Sequence, residues 1–204
     1  MNSYIESTAR EDFNRARFRE MFSRIVNALS PENQELLSLR EVREVIRPKS
    51  EVYRGMQTVH IDRIAGSEGR YRDFNKGFLP RRESSRGRWT SIDRAHLQQV
   101  NLPPIRLYEI GGIYFVRDGN HRVSVARSQG VLAIDAEVTS LGTEITLDPR
   151  MTRADLKRSV IDYEKKLFYE RTRFNKLFPR YDLVFTEPGR YDEIQHHIEV
   201  HKYY

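Results

Sequence analysis

The spacing of apolar residues predicts helices at both ends of the chain. They recur at helical spacing through residues 8–29, on a side that comprises Phe13, Ala16, Met21, Phe22, Ile25, Val26 and Leu29. A longer helical pattern covers residues 152–178, where Thr152 can act as the N-cap. After the turn at Glu187-Pro-Gly-Arg190, residues 191–204 have the pattern of a final helix.

Two further helix-start signals follow the first helix. Ser30-Pro31 combines an N-cap residue with proline at the first helical position. Ser38 and Glu41 have the spacing of a capping box before a short helix that runs to Ile46. We expect residues 1–47 to be a helical segment that braces the main domain. A small helix-turn-helix-like unit is the alternative.

The middle of the chain alternates strand and helix patterns. A strand pattern begins the region at residues 56–64, and two apolar runs within residues 102–117 flank Gly111-Gly112, as in a β-hairpin. A helix at residues 121–129 and a strand at 132–138 follow. These elements predict an α+β fold, in which a small mixed β-sheet is flanked by N- and C-terminal helices.

We therefore divide the chain into three parts. They are a helical N-terminal segment, a central sheet-containing domain and a C-terminal helical extension, at residues 1–47, 48–145 and 146–204. The length of 204 residues suits one domain with such extensions.

A glycine- and serine-rich stretch, residues 65–90, has the composition of a long loop. It also contains four aromatic residues, so we expect most of it to be ordered and packed near a site. Residues 70–94 contain eight basic and three acidic residues, and this excess accounts for +5 of the net charge of +6. Such a basic block favours a polyanionic ligand. A solvated, flexible loop is the alternative.

The overall composition excludes several classes of protein. Mean hydropathy is −0.70, and no apolar run approaches the ~18 residues of a membrane span. The N-terminus has no signal-peptide pattern. The chain contains no cysteine, which excludes disulfides and thiol nucleophiles and is compatible with the cytoplasm. We expect a cytoplasmic protein without a membrane partner.

The most informative segment is Asp118-Gly119-Asn120-His121-Arg122, between a strand pattern and a helix pattern. A glycine turn that opens a helix is a typical anion site, because free backbone N–H groups and the helix dipole attract negative charge. We expect Gly119 to permit close approach of a ligand, and Asn120 to be the N-cap. His121 and Arg122 would donate to phosphate oxygens, while Asp118 would hold a metal ion. A purely structural cap with a surface arginine is the alternative.

Three arginines of the basic block, Arg70, Arg81 and Arg82, are candidates to neutralise a polyphosphate. Non-specific contact with polyanions is the alternative. Near the C-terminus, His196, His197 and His201 form a cluster in which two histidines are spaced i, i+4. That spacing suits zinc. A capping or interface helix that ends at Tyr203-Tyr204 is the preferred interpretation.

The central motif, Val116-Arg-Asp-Gly-Asn-His-Arg-Val-Ser-Val-Ala-Arg127, resembles the signature of the ParB/sulfiredoxin superfamily. Flanking segments are similar too: Val59–Ile64 resembles the opening strand and the start of a helix, and Leu102–Tyr108 resembles the strand before the motif. Ala133–Val138 resembles the strand after it. The resemblance covers about residues 56–140 and implies the small mixed sheet of that superfamily.

Within the superfamily, the motif is most similar to that of an ADP-dependent serine kinase, because Asp118, Gly119 and Arg122 match. The resemblance implies that Glu68 is the catalytic base, with Asp73 as a weaker candidate. A glutamate that is simply exposed on a loop is the alternative for Glu68. Sulfiredoxin chemistry is excluded, because Asn120 replaces the required cysteine. The same position lacks the glutamate of the CTP-binding box of ParB.

The resulting expectation is a Mg²⁺-dependent phosphotransferase or nucleotide hydrolase that uses ATP or ADP. Glu68 and His121 would be the catalytic residues. One alternative is a DNA-binding, ParB-like regulator or a nuclease-like protein that uses the basic segment 70–94. A partner-binding module without catalytic activity is another.

Overall fold

The computed structural model of the protein describes residues 2–28 and 34–201. Its centre is one six-stranded mixed sheet with the strand order β1-β3-β5-β4-β6-β2. The strands are β1 Leu37–Ser38, β2 Glu51–His60, β3 Ile64–Ser67, β4 Ile105–Ile110, β5 Ile113–Asp118 and β6 Ala133–Leu141. Helices flank this sheet, so the predicted α+β class is confirmed.

The α-helices are α1 Asn2–Val26, α2 Leu39–Ile46, α3 Arg86–Leu97, α4 Asn120–Ser128, α5 Arg153–Thr172, α6 Phe174–Leu177 and α7 Arg190–His201. The end of the long predicted helix was wrong, because Arg173 adopts a left-handed conformation (φ 54°) and separates α5 from α6. Leu29, the Ser30-Pro31 start signal and Tyr203-Tyr204 lie outside the described residues.

The loop predicted for residues 65–90 was wrong at both ends. Its beginning completes β3, and its end forms the first turn of α3. The start of α3 contains Gly87, which disfavours a helix, and few apolar residues mark its buried side. Trp89 is fully buried on α3 and contacts Phe13 of α1 edge to face, with ring centroids 5.6 Å apart. Tertiary packing therefore stabilises this helix despite its weak local pattern.

The helix starts differ in how well their caps were predicted. Thr152 caps α5 through a full capping box, in which its hydroxyl accepts from the Asp155 backbone N–H and the Asp155 carboxylate accepts in return. Ser38 also occupies an N-cap position, at α2, but its side chain makes no capping bond. Because Ser38 is buried in β1, the capping box predicted with Glu41 does not form.

The connectivity brings the ends of two parallel strands together. β3 and β5 are parallel neighbours, with Ser67 opposite Val116. The chain reaches β5 through a hairpin whose turn is Gly111-Gly112, both with positive φ, as predicted. The segments that follow β3 and β5 therefore leave the sheet at the same edge, where ligands of mixed α/β sheets commonly bind.

The helices cover the two faces of the sheet and extend its core. Leu39 and Val42 of α2 share one buried cluster with Leu156 and Val160 of α5. On α1, Ala9, Phe13 and Ala16 are buried, and this helix packs on α3, as expected for a brace. None of the described helices is long and apolar enough to cross a membrane.

Candidate functional site

The segments after β3 and β5 are hydrogen-bonded to each other. The Glu68 backbone N–H donates to the carbonyl of Val116 (2.9 Å), and the Ser67 hydroxyl donates to the same carbonyl (3.2 Å). The Arg70 backbone N–H in turn donates to the Ser67 hydroxyl (3.4 Å). These bonds fix the turn that contains Glu68 and Arg70 beside the start of α4.

The N-cap of α4 is Gly119 and not Asn120, so the predicted cap was wrong by one residue. Gly119 has a φ of 107°, which side-chain-bearing residues rarely adopt. A Cβ atom there would lie 2.5 Å from Cγ2 of Ile105. The space beside this Cα is therefore filled by the core, so packing requires glycine at this position.

Arg122 is held by protein oxygens. Its guanidinium donates to the carbonyls of Pro103 and Pro104 and to the carboxylate of Asp118 (2.5 Å), and only 14% of the side chain is exposed. The planar fork that was predicted to bind phosphate thus ties the start of α4 to the segment before β4. Asp118, the predicted metal ligand, is 61% exposed but already forms an ion pair with Arg122.

His121 is the most unusual titratable group at this edge. It is 5% exposed, and its ring packs edge to face on Phe74 with centroids 5.2 Å apart. Burial lowers the pKa of His121 to about 4, and the charges of Arg70 and Arg88 act in the same direction. The imidazole is therefore neutral at pH 7.

The two ring nitrogens differ in their surroundings. Nε2 lies 3.5 Å from Nη1 of Arg70, at the outer limit of a hydrogen bond. The buried Nδ1 has no hydrogen-bond partner among the described residues, and neither does the buried Oδ1 of Asn120. Buried polar groups are usually paired, and an unpaired one costs about 1–3 kcal/mol.

The backbone at the start of α4 adds further donors. The first bond of the helix runs from the Val123 N–H to the carbonyl of Gly119 (3.0 Å). The preceding N–H groups, those of residues 120–122, have no acceptor within the helix. They lie at the positive end of its dipole.

Arginines lie beside this helix start, and we call Arg70, Asp73, Arg82, Arg88 and His121 the arginine cluster. Arg70 lies 3.5 Å from His121, and Asp73 lies 3.9 Å from Arg70 and 3.5 Å from Arg82. Arg88, on α3, is exposed, and its charge lowers the pKa of His121. Two guanidinium groups therefore share one carboxylate, and with Arg88 the cluster has a net charge of +2 at neutral pH.

Arg81 lies outside the cluster. Its guanidinium donates to the backbone carbonyl of Gln34 (3.1 Å) and lies 3.8 Å from the buried carboxylate of Glu20. Arg17 of α1 also reaches Glu20 (3.4 Å) and the carbonyl of Arg81 (2.6 Å). Arg81 thus anchors α1, which accounts for this arginine without a ligand.

Two predicted acidic residues differ in their surroundings. Glu68 is exposed at the end of β3, and its position is fixed by its backbone bond to Val116. Asp73 is half-buried and already engaged with two arginines. Of the two, Glu68 is therefore the better placed to accept a proton from a ligand.

Sequence analysis missed two residues that matter here. Arg88 was counted only as part of a basic loop, because α3 had not been predicted. Arg127, in the last turn of α4, donates to the carbonyls of Ile61 and Ile64 (2.7 and 2.9 Å) and packs over Phe78. Its signal was present in the motif, as an arginine five residues after Arg122.

The C-terminal histidines form no metal centre that the structure supports. Within residues 2–28 and 34–201, no group of three or more His, Asp or Glu side chains is arranged to hold a metal ion. His196 and His197 lie on α7 with ring centroids 6.5 Å apart.

Comparison of the chain with protein-family models, with curated proteins and with solved structures found no match.

Proposed function

We propose that the protein binds a phosphate-bearing nucleotide at the arginine cluster, as a member of the ParB/sulfiredoxin superfamily. The observation that carries the proposal is that Arg70 and Arg82 share the single carboxylate of Asp73, with Arg70 beside His121 at a helix start whose first N–H groups have no acceptor within the helix. Guanidinium groups and helix N-termini both favour phosphate. We propose a cytoplasmic setting, since the chain contains no cysteine.

The side chains would divide the work of binding. Arg70 and Arg82 would exchange Asp73 for phosphate oxygens, because a phosphate offers more negative charge than one carboxylate. The backbone N–H groups of Asn120 and His121 would bind a second oxygen. Arg122 would act indirectly, by holding this turn in place.

Catalysis would be phosphoryl transfer from ATP or ADP, with Glu68 accepting the proton of the attacking hydroxyl group or water. The fit for protein-bound Mg²⁺ is weak: the one predicted ligand, Asp118, is paired with Arg122. Mg²⁺ commonly binds one carboxylate together with substrate phosphates and neutralises their charge. Asp118 would bind the Mg²⁺ ion only after its ion pair with Arg122 is broken.

The binding step is tested by calorimetric titration with ATP, ADP, CTP and GTP in the presence of Mg²⁺. We expect saturable, one-site binding, at least tenfold weaker in the double variant Arg70→Ala/Arg88→Ala. The matched control is Arg150→Ala, which removes an arginine that is 89% exposed and paired with Asp148. Unchanged affinity in the double variant would refute the assignment.

A short DNA duplex in the same experiment tests the regulator alternative. A protein that contacts several DNA phosphates loses affinity steeply between low and moderate salt. Salt-sensitive binding of DNA without binding of any nucleotide would replace our proposal by that alternative.

The catalytic step is tested by Glu68→Gln. We expect this variant to bind nucleotide with the affinity of the unmodified protein but to lose nucleotide turnover, followed by ³¹P NMR. Glu83→Gln, which alters another exposed glutamate of the same region, serves as the control. Equal turnover in both variants would exclude Glu68 as the base.

A further inference from the structure

Helix α1 presents apolar side chains to solvent on the side opposite its contact with the protein. The outer stripe, as we call it, consists of five exposed residues: Phe18, Met21, Phe22, Ile25 and Val26. They are spaced i, i+3, i+4, i+7 and i+8, which is one continuous face of a helix. Sequence analysis placed four of them on one apolar side together with Phe13 and Ala16, which are buried, so that single side was wrong.

The reason is that the helix has a second, separate face that packs on the protein. Ala9, Phe13, Ala16 and Glu20 are buried on that face. At 100° per residue, its centre lies about 180° from the centre of the outer stripe. Phe13 contacts Trp89, so the contacts of the inner face hold the helix in place.

Arginines flank the outer stripe along residues 18–26. Arg19 borders it on one side and Arg24 on the other, and both are exposed. Before the stripe, Arg15 is paired with Asp12 (3.2 Å), and Glu11 is exposed. The only acidic residue within residues 13–26 is Glu20, which is 2% exposed and paired with Arg17 and Arg81. An anionic partner is therefore favoured.

We propose that α1 binds the surface of an anionic lipid bilayer, with the outer stripe inserted below the headgroups, which departs from the expectation that the protein has no membrane partner. Interfacial helices combine an apolar face, often with aromatic residues, with arginines whose stems reach along that face to the phosphates. A bilayer supplies an apolar layer and an anionic layer to an exposed helix face, whereas a protein partner would need a matching groove. A second copy of the chain would bring Arg19 and Arg24 against arginines of the same kind.

The helix is already folded and anchored before it meets the bilayer. Binding therefore does not require the ordering of an unfolded segment, which is the main cost for many interfacial helices. The proposal is independent of the nucleotide site, because none of the residues of the outer stripe belongs to the arginine cluster.

The test is flotation of the full chain with vesicles of phosphatidylcholine alone and of phosphatidylcholine with phosphatidylglycerol. We expect binding to the anionic vesicles only. The double variant Phe18→Ser/Phe22→Ser should weaken this binding at least tenfold, because both phenylalanine side chains are exposed and would insert into the bilayer. Tyr181→Ser/Val184→Ser removes two equally exposed apolar residues elsewhere and should leave binding unchanged.

A second variant separates charge from insertion. Arg19→Glu/Arg24→Glu should also abolish binding to the anionic vesicles. If the unmodified protein fails to bind them, the proposal is wrong. It is equally wrong if Phe18→Ser/Phe22→Ser binds normally, since the net charge of +6 alone would then explain adsorption. A third outcome is that the unmodified protein binds no vesicles but dimerises as its concentration rises, and that Phe18→Ser/Phe22→Ser abolishes this dimerisation. The outer stripe would then bind a second copy of the chain.

Discussion

The turn at Asp118–Arg122 and the arginine cluster lie at the same edge of the sheet but use their charges in opposite ways. In the turn, the guanidinium of Arg122 is held by Asp118 and by two backbone carbonyls. In the cluster, the guanidinium groups of Arg70 and Arg82 share Asp73, and Arg88 is exposed. The residues that make the motif recognisable thus build the scaffold, and arginines from a less distinctive segment supply the spare positive charge.

This difference separates stability from binding. A variant at Gly119 or Arg122 should alter the free energy of unfolding, whereas a variant at Arg70 or Arg82 should alter affinity for phosphate. His121 belongs to both regions, and the burial of its ring makes stability depend on pH. Each of the following predictions tests one side of that division.

The largest effect is expected for Gly119→Ala. The substitution combines an unfavourable φ of 107° with a Cβ atom 2.5 Å from Ile105, and should lower the free energy of unfolding by about 3 kcal/mol or more. Gly130→Ala is the control, because φ is 73° there and the added Cβ would meet nothing within 4 Å. It should cost only about 1 kcal/mol. Urea denaturation measures both, and equal losses would contradict the packing role of Gly119.

A pH-dependent loss of stability is expected from His121. Its pKa is about 4 in the folded protein, against the ordinary histidine value of 6.5, so the unfolded chain binds more protons between these values. The stabilisation is complete above pH 6.5 and is lost as pH falls towards 4, by up to about 3 kcal/mol. His121→Gln should remove this slope, whereas His196→Gln, at an exposed site, should retain it. A slope unchanged in His121→Gln would contradict the assignment.

Arg122→Ala should destabilise the fold by about 2 kcal/mol, because Asp118 and the carbonyls of Pro103 and Pro104 lose their donor. Thermal and urea unfolding would measure this loss. Arg106→Ala, which removes an exposed ion pair with Glu137, is the control and should cost well under ~1 kcal/mol. If Arg122→Ala instead leaves stability intact and abolishes nucleotide binding, the guanidinium serves the ligand directly.

The smallest effect on stability is expected for Arg70→Ala. Its side chain is 55% exposed and its ion pair with Asp73 is long, so the free energy of unfolding should change by less than ~0.5 kcal/mol. Nucleotide affinity should nevertheless fall about tenfold, which corresponds to ~1.4 kcal/mol. Calorimetry and urea denaturation on the same sample test the contrast. A loss of stability without a loss of affinity would show that Arg70 supports the fold and does not bind the nucleotide.

The sequence predicted those features that depend on local pattern. The Gly111-Gly112 hairpin, the cap at Thr152 and the strand–turn–helix order around Gly119 follow from turn chemistry and periodicity. The α+β class followed from the order of these elements.

The remaining features depend on contacts between distant segments. Helix α3 has a weak pattern of its own and is stabilised by burial of Trp89 against α1. The partners of Arg122 and Arg81 are backbone carbonyls, which no residue type reveals. The outer stripe and the inner face of α1 are both apolar, so periodicity alone could not tell which side is buried.

The most direct test of the central claim is a ¹H–¹⁵N NMR titration of the full chain with ADP and Mg²⁺. We predict that the largest amide shifts occur in Ser67–Arg70 and Gly119–Arg122, the two segments joined at the edge of the sheet. Saturation of both sets at one dissociation constant would support a single nucleotide site there. Saturable binding that leaves these amides unchanged would contradict the account.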